Sequence, residues 1–289
     1  MLKTLARIGF SALKPKSRAT QNPREFDDVN VRLPAPKASL VDHYRRWCRY
    51  SVTAPDNATF DTSHDDSTIP SHMFSQFALS VCAKQLKLTR YNLSSVINQG
   101  VGVTVHQPLP AGEPLDIRCK LIDITEADCR ARVQQRLYIS TESAGLCTTV
   151  DFHAVFILGR NRRSKPREAV KEQLFDRLGS WTVAENDGWN FALLTGDFNP
   201  IHWVGLIAKL SPFKRKVLHG FGMFTRSWET AELALGKPLK VLDVRFVSPA
   251  FLNNQAVSVY KGEADEEGLC ALELRDAKGR VLMAGRIGV

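Results

Sequence analysis

The chain repeats a short pattern once, and this repeat constrains its fold more than any other feature. Ser71–Phe77 aligns with Leu218–Phe224, with a histidine and two phenylalanines at matching positions. Val103–Pro108 aligns in the same way with Val244–Pro249. The two offsets, 147 and 141 residues, are nearly equal, as a duplication followed by small insertions would leave them. The sequence therefore predicts two similar units in tandem.

The first unit reads as helices followed by a meander of strands. Apolar residues at Met73, Phe77, Val81 and Leu88 recur at helical spacing and predict one buried helix face. An earlier helix is expected over residues 39–51, and a polar loop over residues 56–71. Four strand-like runs follow, at 101–109, 115–127, 129–141 and 147–158. In the last three of these runs apolar and polar residues alternate, which is typical of antiparallel strands with one face exposed to solvent.

The second unit has the same plan. Phe221, Phe224, Trp228 and Leu235 share one face of a helix that begins near residue 219. Strand-like runs follow at 240–250, 255–264, 269–276 and 280–289. The predicted fold class is therefore α+β. The predicted boundaries are a basic tail at 1–38, a first unit at 39–159, a basic linker at 160–167 and a second unit at 168–289.

The net charge of +9 comes from two segments. Residues 1–24 hold six basic residues and no acidic one, and residues 160–167 hold five more basic residues. A nucleic-acid partner is not expected, because neither segment interleaves aromatic residues or belongs to a known binding module. No apolar run is long enough to span a bilayer, so no integral membrane segment is expected. The expected location is the cytoplasm, or the mitochondrion if the basic N-terminus is a presequence.

Several common catalytic arrangements are not supported. The six cysteines are scattered without a Cys-x-x-Cys motif, which predicts free thiols and no metal site. There is no Gly-x-Ser-x-Gly nucleophile motif. The segment Gly220–Gly222 lacks the third glycine and the strand context of a dinucleotide-binding loop.

The residues that carry most chemistry lie between 191 and 224. Gly196 is placed to end a helix, because glycine tolerates the left-handed conformation just past a helix end. Asn199 and the proline after it read as the N-cap and first residue of the next helix. Asp197 would then lie in the turn, and His202 in the first helical turn, where the helix dipole favours a neutral imidazole. These two side chains could hold a water as an acid–base pair. The alternative is an ordinary capped turn.

The string LTGDFNPIHW, with VLHGFGMF after it, resembles the motif of the MaoC-like dehydratases, the (R)-specific enoyl-CoA hydratase or hydratase 2 family. The resemblance implies a double hot-dog fold, in which each unit is a long helix wrapped by an antiparallel sheet. It also implies that Asp197 and His202 are the catalytic pair, supported by Asn199 and Gly196. One departure is Val204, where family members often carry an acidic residue.

The resemblance assigns the thioester-binding position to the start of the second central helix. The backbone N–H of Gly220, together with His219, would receive the thioester carbonyl. The other reading of His219, and of His72 at the matching place in the first unit, is a structural helix cap. The first unit has Met73 where the second has Gly220, so it is expected to shape an acyl tunnel rather than to hold a second active site.

The activity that the resemblance implies is a hydro-lyase reaction, the reversible hydration of a trans-2-enoyl thioester to an (R)-3-hydroxyacyl thioester. The thioester would be carried by coenzyme A or acyl carrier protein, and no metal, flavin or nicotinamide cofactor is expected. Lys214, Arg215 and Lys216 could contact the phosphates of the carrier, or form an exposed loop. The alternatives are a hot-dog acyl-CoA thioesterase and a non-catalytic protein that binds acyl thioesters. A homodimer is possible because sheet edges often pair.

Overall fold

Ten strands in the described part of the chain form one continuous antiparallel sheet. The structure is a computed structural model that describes residues 22, 25–53, 66–159 and 174–289. The strands of this sheet are β1 (Val29–Leu33), β3 (Val96–Val105), β5 (Leu115–Ala127), β6 (Arg130–Thr141), β7 (Gly145–Ile157), β8 (Asp176–Val183), β9 (Val241–Phe246), β10 (Gln255–Ala264), β11 (Cys270–Asp276) and β12 (Val281–Gly288). Two short strands, β2 (Thr68–Ile69) and β4 (Leu109–Pro110), pair separately.

The described part of the chain also contains five α-helices. They are α1 (Ala38–Arg49), α2 (Ser75–Leu86), α3 (Asp187–Thr195), α4 (Gly205–Leu210) and α5 (Gly220–Leu235). A 3-10 turn at Ser71–Phe74 leads into α2, and another at Pro200–His202 lies between α3 and α4. The helices predicted around residues 39–51, 73–88 and 219–235 are therefore confirmed.

The two halves of the sheet have the same topology. The sheet order is β1-β5-β6-β7-β3 in the first half and β8-β10-β11-β12-β9 in the second, counted from each outer edge. In each half the first strand is at the edge and the second lies at the join, where β3 pairs with β9 over Gly100–Thr104 and Val241–Arg245. This matching order agrees with the repeat in the sequence and gives the double hot-dog fold.

The large aromatic residues of the two central helices meet in the core between the halves. Phe74 is fully buried and makes edge contacts with Phe152, Phe221 and Phe224, with ring centroids 5.4–5.7 Å apart. Phe77 is also buried. Both residues are part of the hydrophobic core. Such T-shaped contacts stabilise a core beyond the area that they bury.

The structure corrects four details of the sequence-based assignment. The tail placed at residues 1–38 contains β1, which pairs with β5. The edge strand β8 was not predicted, and Thr68–Ile69 forms a strand inside the predicted loop. Leu88 lies beyond the end of α2 and is 49% exposed, so it is not part of the buried face. The linker predicted at residues 160–167 lies outside the described residues.

Two other expectations can be compared with the structure. All six cysteines are free thiols. Within the described ranges, none of the helices has both the length and the apolar character needed to cross a bilayer.

Candidate active site

The turn that carries Asp197 forms as the sequence predicts. Helix α3 ends at Gly196, which has φ 76° and donates its N–H to the carbonyl oxygen of Ala192. This left-handed residue reverses the chain, and Asp197 follows it with a half-buried side chain. Asp197 Oδ1 accepts a hydrogen bond from the Asn199 N–H at 3.3 Å.

Asn199 caps the next element, which is shorter than expected. Its side-chain oxygen accepts from the Ile201 N–H at 3.3 Å, and the proline after it occupies the first position. The element is a three-residue 3-10 turn that ends at His202, and α4 begins three residues later. The predicted N-cap is thus confirmed, but the predicted single helix is divided in two.

His202 is buried and is held in one tautomer. Its Nδ1 lies 2.8 Å from the carbonyl oxygen of Val217. A carbonyl oxygen can only accept, so the proton of the neutral ring lies on Nδ1 and Nε2 keeps its lone pair. Burial lowers the pKa of His202 below its ordinary value of 6.5, and the nearby Asp197 carboxylate opposes this effect. The imidazole is therefore neutral at pH 7, as predicted, although burial rather than the helix dipole is the main cause.

His219 lies directly on His202. The two rings are stacked, with centroids 3.6 Å apart and planes inclined by 24°. Its Nε2 donates to the backbone carbonyl of Asp197 at 3.0 Å and lies 3.9 Å from Asp197 Oδ2. Its Nδ1 is buried and meets no hydrogen-bond partner among the described residues. Burial and the neighbouring His202 lower the pKa of His219 to about 3.

These contacts change the role predicted for His219. Its one proton is committed to the Asp197 carbonyl, so the neutral ring has none to donate to a thioester oxygen. His219 does occupy the N-cap position of α5, but its side chain makes no capping hydrogen bond, because the ring bonds to the turn before the helix. His219 instead fixes the backbone of Asp197 and the plane of His202. The matching His72 is not a cap either, since its Nε2 lies 3.1 Å from Glu229 Oε1 in a buried pair.

Gly220 begins α5 as predicted, so its N–H is one of the donors that have no acceptor within the helix. The ring of Phe246 packs closely against it. A Cβ added at Gly220 would lie 2.7 Å from the ring. Only glycine fits at this position without moving the phenylalanine.

Two features that support the turn were not recognised in the sequence. Helix α3 packs on the backbone of His202, where a Cβ added at Gly188 would lie 2.0 Å from the His202 carbonyl oxygen. The first residue of α3, Asp187, forms two hydrogen bonds of 2.9 Å with the buried guanidinium of Arg226 and accepts a third from the Trp47 indole. Acidic residues at helix starts are common, so Asp187 alone gave no signal that it pairs with a residue 39 positions away.

The three polar side chains at the turn are also those most suited to hold a metal ion. One candidate ligand atom from each of Asp197, His202 and His219 lies within 4.8 Å of the others. However, the nitrogen lone pairs lie in the planes of the two stacked rings, which are inclined by only 24°, whereas the lone pairs of ligands to one ion must converge on it. The arrangement fits an acid–base pair better than a metal centre.

The basic cluster at residues 214–216 lies in the loop between α4 and α5. Lys214 and Arg215 are exposed, and Lys216 is partly buried. The Arg215 guanidinium lies 4.9 Å from the centre of the Phe251 ring. Both predicted readings, a phosphate contact and an exposed loop, fit this position. A surface cavity of about 490 Å³ between β1, β5 and β6 contains none of the candidate residues.

The segment that carries this site is similar to a known protein family. The sequence profile of the MaoC like domain family matches residues 167–268. No curated protein sequence is significantly similar to the chain. The match supports a hydratase or dehydratase role in general.

Solved structures share the fold over 91% of this chain. HtdX of Mycobacterium tuberculosis is 18% identical with a TM-score of 0.67, over 91% of this chain and 100% of that one. A MaoC-like dehydratase from Phytophthora capsici is 16% identical with a TM-score of 0.69, over 91% and 95%. A conserved Mycobacterium tuberculosis protein with a double hotdog fold is 9% identical with a TM-score of 0.58, over 91% and 94%. At these identities the likeness establishes the fold. The chain is a double hot-dog protein whose second unit is similar to the MaoC like domain family over residues 167–268.

Proposed function

We propose that this protein catalyses the reversible hydration of a trans-2-enoyl thioester to an (R)-3-hydroxyacyl thioester. The observation that carries the proposal is the state of His202. Its Nδ1 proton is held by the Val217 carbonyl, its pKa is lowered by burial, and one of its ring nitrogens lies within 4.8 Å of a carboxylate oxygen of Asp197. A neutral imidazole of this kind can take a proton from water and return it.

In the hydration direction, a water is held between the Asp197 carboxylate and His202 Nε2. One of its protons passes to this pair as its oxygen forms a bond to C3 of the enoyl group. The C2–C3 π electrons move toward the thioester carbonyl, and C2 then receives a proton from the pair. One water is added across the double bond, and dehydration follows the same steps in reverse.

The charge that develops on the thioester oxygen needs a donor, and the N–H of Gly220 is suited to this role. It lies at the positive end of a 16-residue helix. Fixed backbone donors stabilise an oxyanion without having to reorganise as the charge forms. Asn199 and Gly196 shape the turn of Asp197, and His219 fixes its carbonyl. The reaction requires no metal, flavin or nicotinamide, because the thioester itself acidifies the C2 proton.

The acyl group would be carried by coenzyme A or by acyl carrier protein, both of which present phosphate groups. The exposed Lys214 and Arg215 and the half-exposed Lys216 lie in the loop just before Gly220. We assign them to contacts with those phosphates. A reversal of charge at Lys214 and Arg215 should therefore raise KM and leave kcat nearly unchanged.

The test is the absorbance of the enoyl-thioester band with crotonyl-CoA and then octenoyl-CoA. We expect the absorbance to fall, and we expect Asp197→Asn and His202→Ala each to remove most of kcat while circular dichroism remains that of the wild type. Full turnover in either variant would contradict the assignment. Release of free thiol would indicate a thioesterase, and tight acyl-CoA binding without turnover would indicate a non-catalytic binding protein.

A further inference from the structure

Helix α4 presents its apolar face to solvent. Leu206 and Leu210 are 72% and 79% exposed, and Ile207 is 40% exposed, whereas Ala208 is fully buried. At about 100° per residue, the three large side chains share one side of the helix and the alanine lies on the other. This is the reverse of an ordinary surface helix, in which the large apolar residues face the core.

The exposed apolar surface continues onto the neighbouring elements. Trp203 and Trp189 are partly exposed, with ring centroids 5.0 Å apart. We call the whole set the apolar patch; its members are the exposed residues Trp189, Leu193, Trp203, Leu206, Ile207, Leu210 and Phe213. Single exposed apolar residues are normal, but a cluster rimmed by polar residues marks an interaction site.

The segment that carries five of the seven members of the apolar patch has charges of one sign. Residues 198–220 contain no acidic residue and four basic ones, Lys209, Lys214, Arg215 and Lys216. Within the described ranges, none of these four forms an ion pair. The surface thus combines protruding aliphatic side chains, two tryptophans and uncompensated positive charge.

We propose that the apolar patch docks on the surface of a phospholipid bilayer that contains anionic lipids. Leucine and isoleucine side chains would enter the boundary between headgroups and acyl chains, and the two tryptophans would lie at the headgroup level. The exposed Lys209, which is not among the residues assigned to the phosphates of the substrate carrier, would contact lipid phosphates. A two-fold contact between copies of this chain fits less well. It would bring the same basic residues of both copies together.

Docking would bring the candidate site close to the bilayer, because Trp203 directly follows His202. The proposal itself does not depend on the reaction assigned to that site. It follows from the exposure of α4 and from the charge of its surroundings.

The test uses the fluorescence of the full chain with vesicles. Three of the five tryptophans, Trp47, Trp181 and Trp228, are buried, so a change on adding lipid reports on Trp189 and Trp203. With vesicles of phosphatidylcholine and phosphatidylserine that carry brominated acyl chains, we expect a blue shift and loss of tryptophan emission. Pure phosphatidylcholine should give a smaller loss.

The decisive variant is the double substitution Leu206→Ser and Leu210→Ser. It should abolish the loss of emission, whereas Leu88→Ser, at an exposed leucine after α2, should leave the loss unchanged. Binding of the basic residues at 1–24 to anionic vesicles by charge alone would not bring bromines near the two tryptophans. Quenching that persists in the double variant, or no quenching in the wild type, would overturn the proposal. A dimer of the wild type in size-exclusion chromatography would also overturn the proposal, if the double variant alone is no longer a dimer.

Discussion

His219 stacks on His202 at a centroid distance of 3.6 Å and donates its Nε2 proton to the backbone carbonyl of Asp197. One buried ring therefore positions both members of the candidate catalytic pair. The arrangement needs a neutral His219, since protonation would add a proton at a buried Nδ1 that has no acceptor among the described residues. The stability of the turn is thereby linked to pH.

The first prediction concerns this linkage. Folding lowers the pKa of His219 from 6.5 to about 3, so below pH 6.5 the unfolded chain binds a proton that the folded chain does not. The stability contributed by the neutral ring is present above pH 6.5 and is lost as the pH falls from 6.5 toward 3. Between pH 7 and pH 5, His219 should lower the free energy of unfolding by about 2 kcal/mol.

Replacing His219 by Gln, which keeps a donor near the Asp197 carbonyl, should remove this part of the pH dependence. The free energy of unfolding in urea, measured at pH 7 and pH 5, gives the result. His43 is exposed, and His43→Gln is the matched control that should keep the wild-type difference. An unchanged difference in the His219 variant would show that the ring does not carry the linkage.

The second prediction concerns the contact between α3 and the turn. In Gly188→Ala the new methyl group would lie 2.0 Å from the carbonyl oxygen of His202, so the helix and the turn must separate. We expect a loss of stability of about 1–3 kcal/mol and a marked fall in kcat. At Gly205 an added Cβ has no neighbour within 4 Å, so Gly205→Ala should leave both quantities nearly unchanged. Thermal unfolding and enoyl-thioester hydration would measure both variants.

The sequence predicted the parts of the fold that depend on local chemistry. Gly196 and Asn199 end and begin elements through contacts within four residues, and the strands that alternate in polarity were placed to within about two residues. The equal topology of the two halves could be predicted because the repeat preserves the spacing of helix and strands.

What could not be predicted depends on contacts between distant residues. Strand β1 pairs with β5 across more than 80 residues, and its five residues alone carry a weak pattern. The hydrogen bond of His219 to Asp197 depends on how α5 meets the turn, which the spacing of the two residues does not define. The same limit applies to Gly188, whose need for a small side chain comes from the backbone of His202.

The third prediction concerns the buried pair beneath α3. Arg226 is fully buried between the rings of Trp47 and Trp181, with its charge met by Asp187. Asp187→Ala would leave this guanidinium buried without its partner, which should destabilise the protein by about 3–5 kcal/mol. Replacing Arg32, whose ion pairs with acidic residues are exposed, should lower the free energy of unfolding by at most about 1 kcal/mol. Urea denaturation of both variants gives the comparison, and equal losses would contradict the prediction.

The fourth prediction links Gly220 to Phe246. In Gly220→Ala the added methyl would lie 2.7 Å from the Phe246 ring, and the helix start must shift away from it. Because an oxyanion donor is effective only when it is correctly placed, we expect kcat to fall by about 100-fold. Phe246→Ala removes the ring and with it the clash. The double variant Gly220→Ala with Phe246→Ala should therefore have a kcat close to that of Phe246→Ala alone. A double-mutant cycle on kcat measures the coupling. Additive losses would show that Gly220 acts through something other than its contact with Phe246, and the assignment of its N–H to the thioester would lose its support.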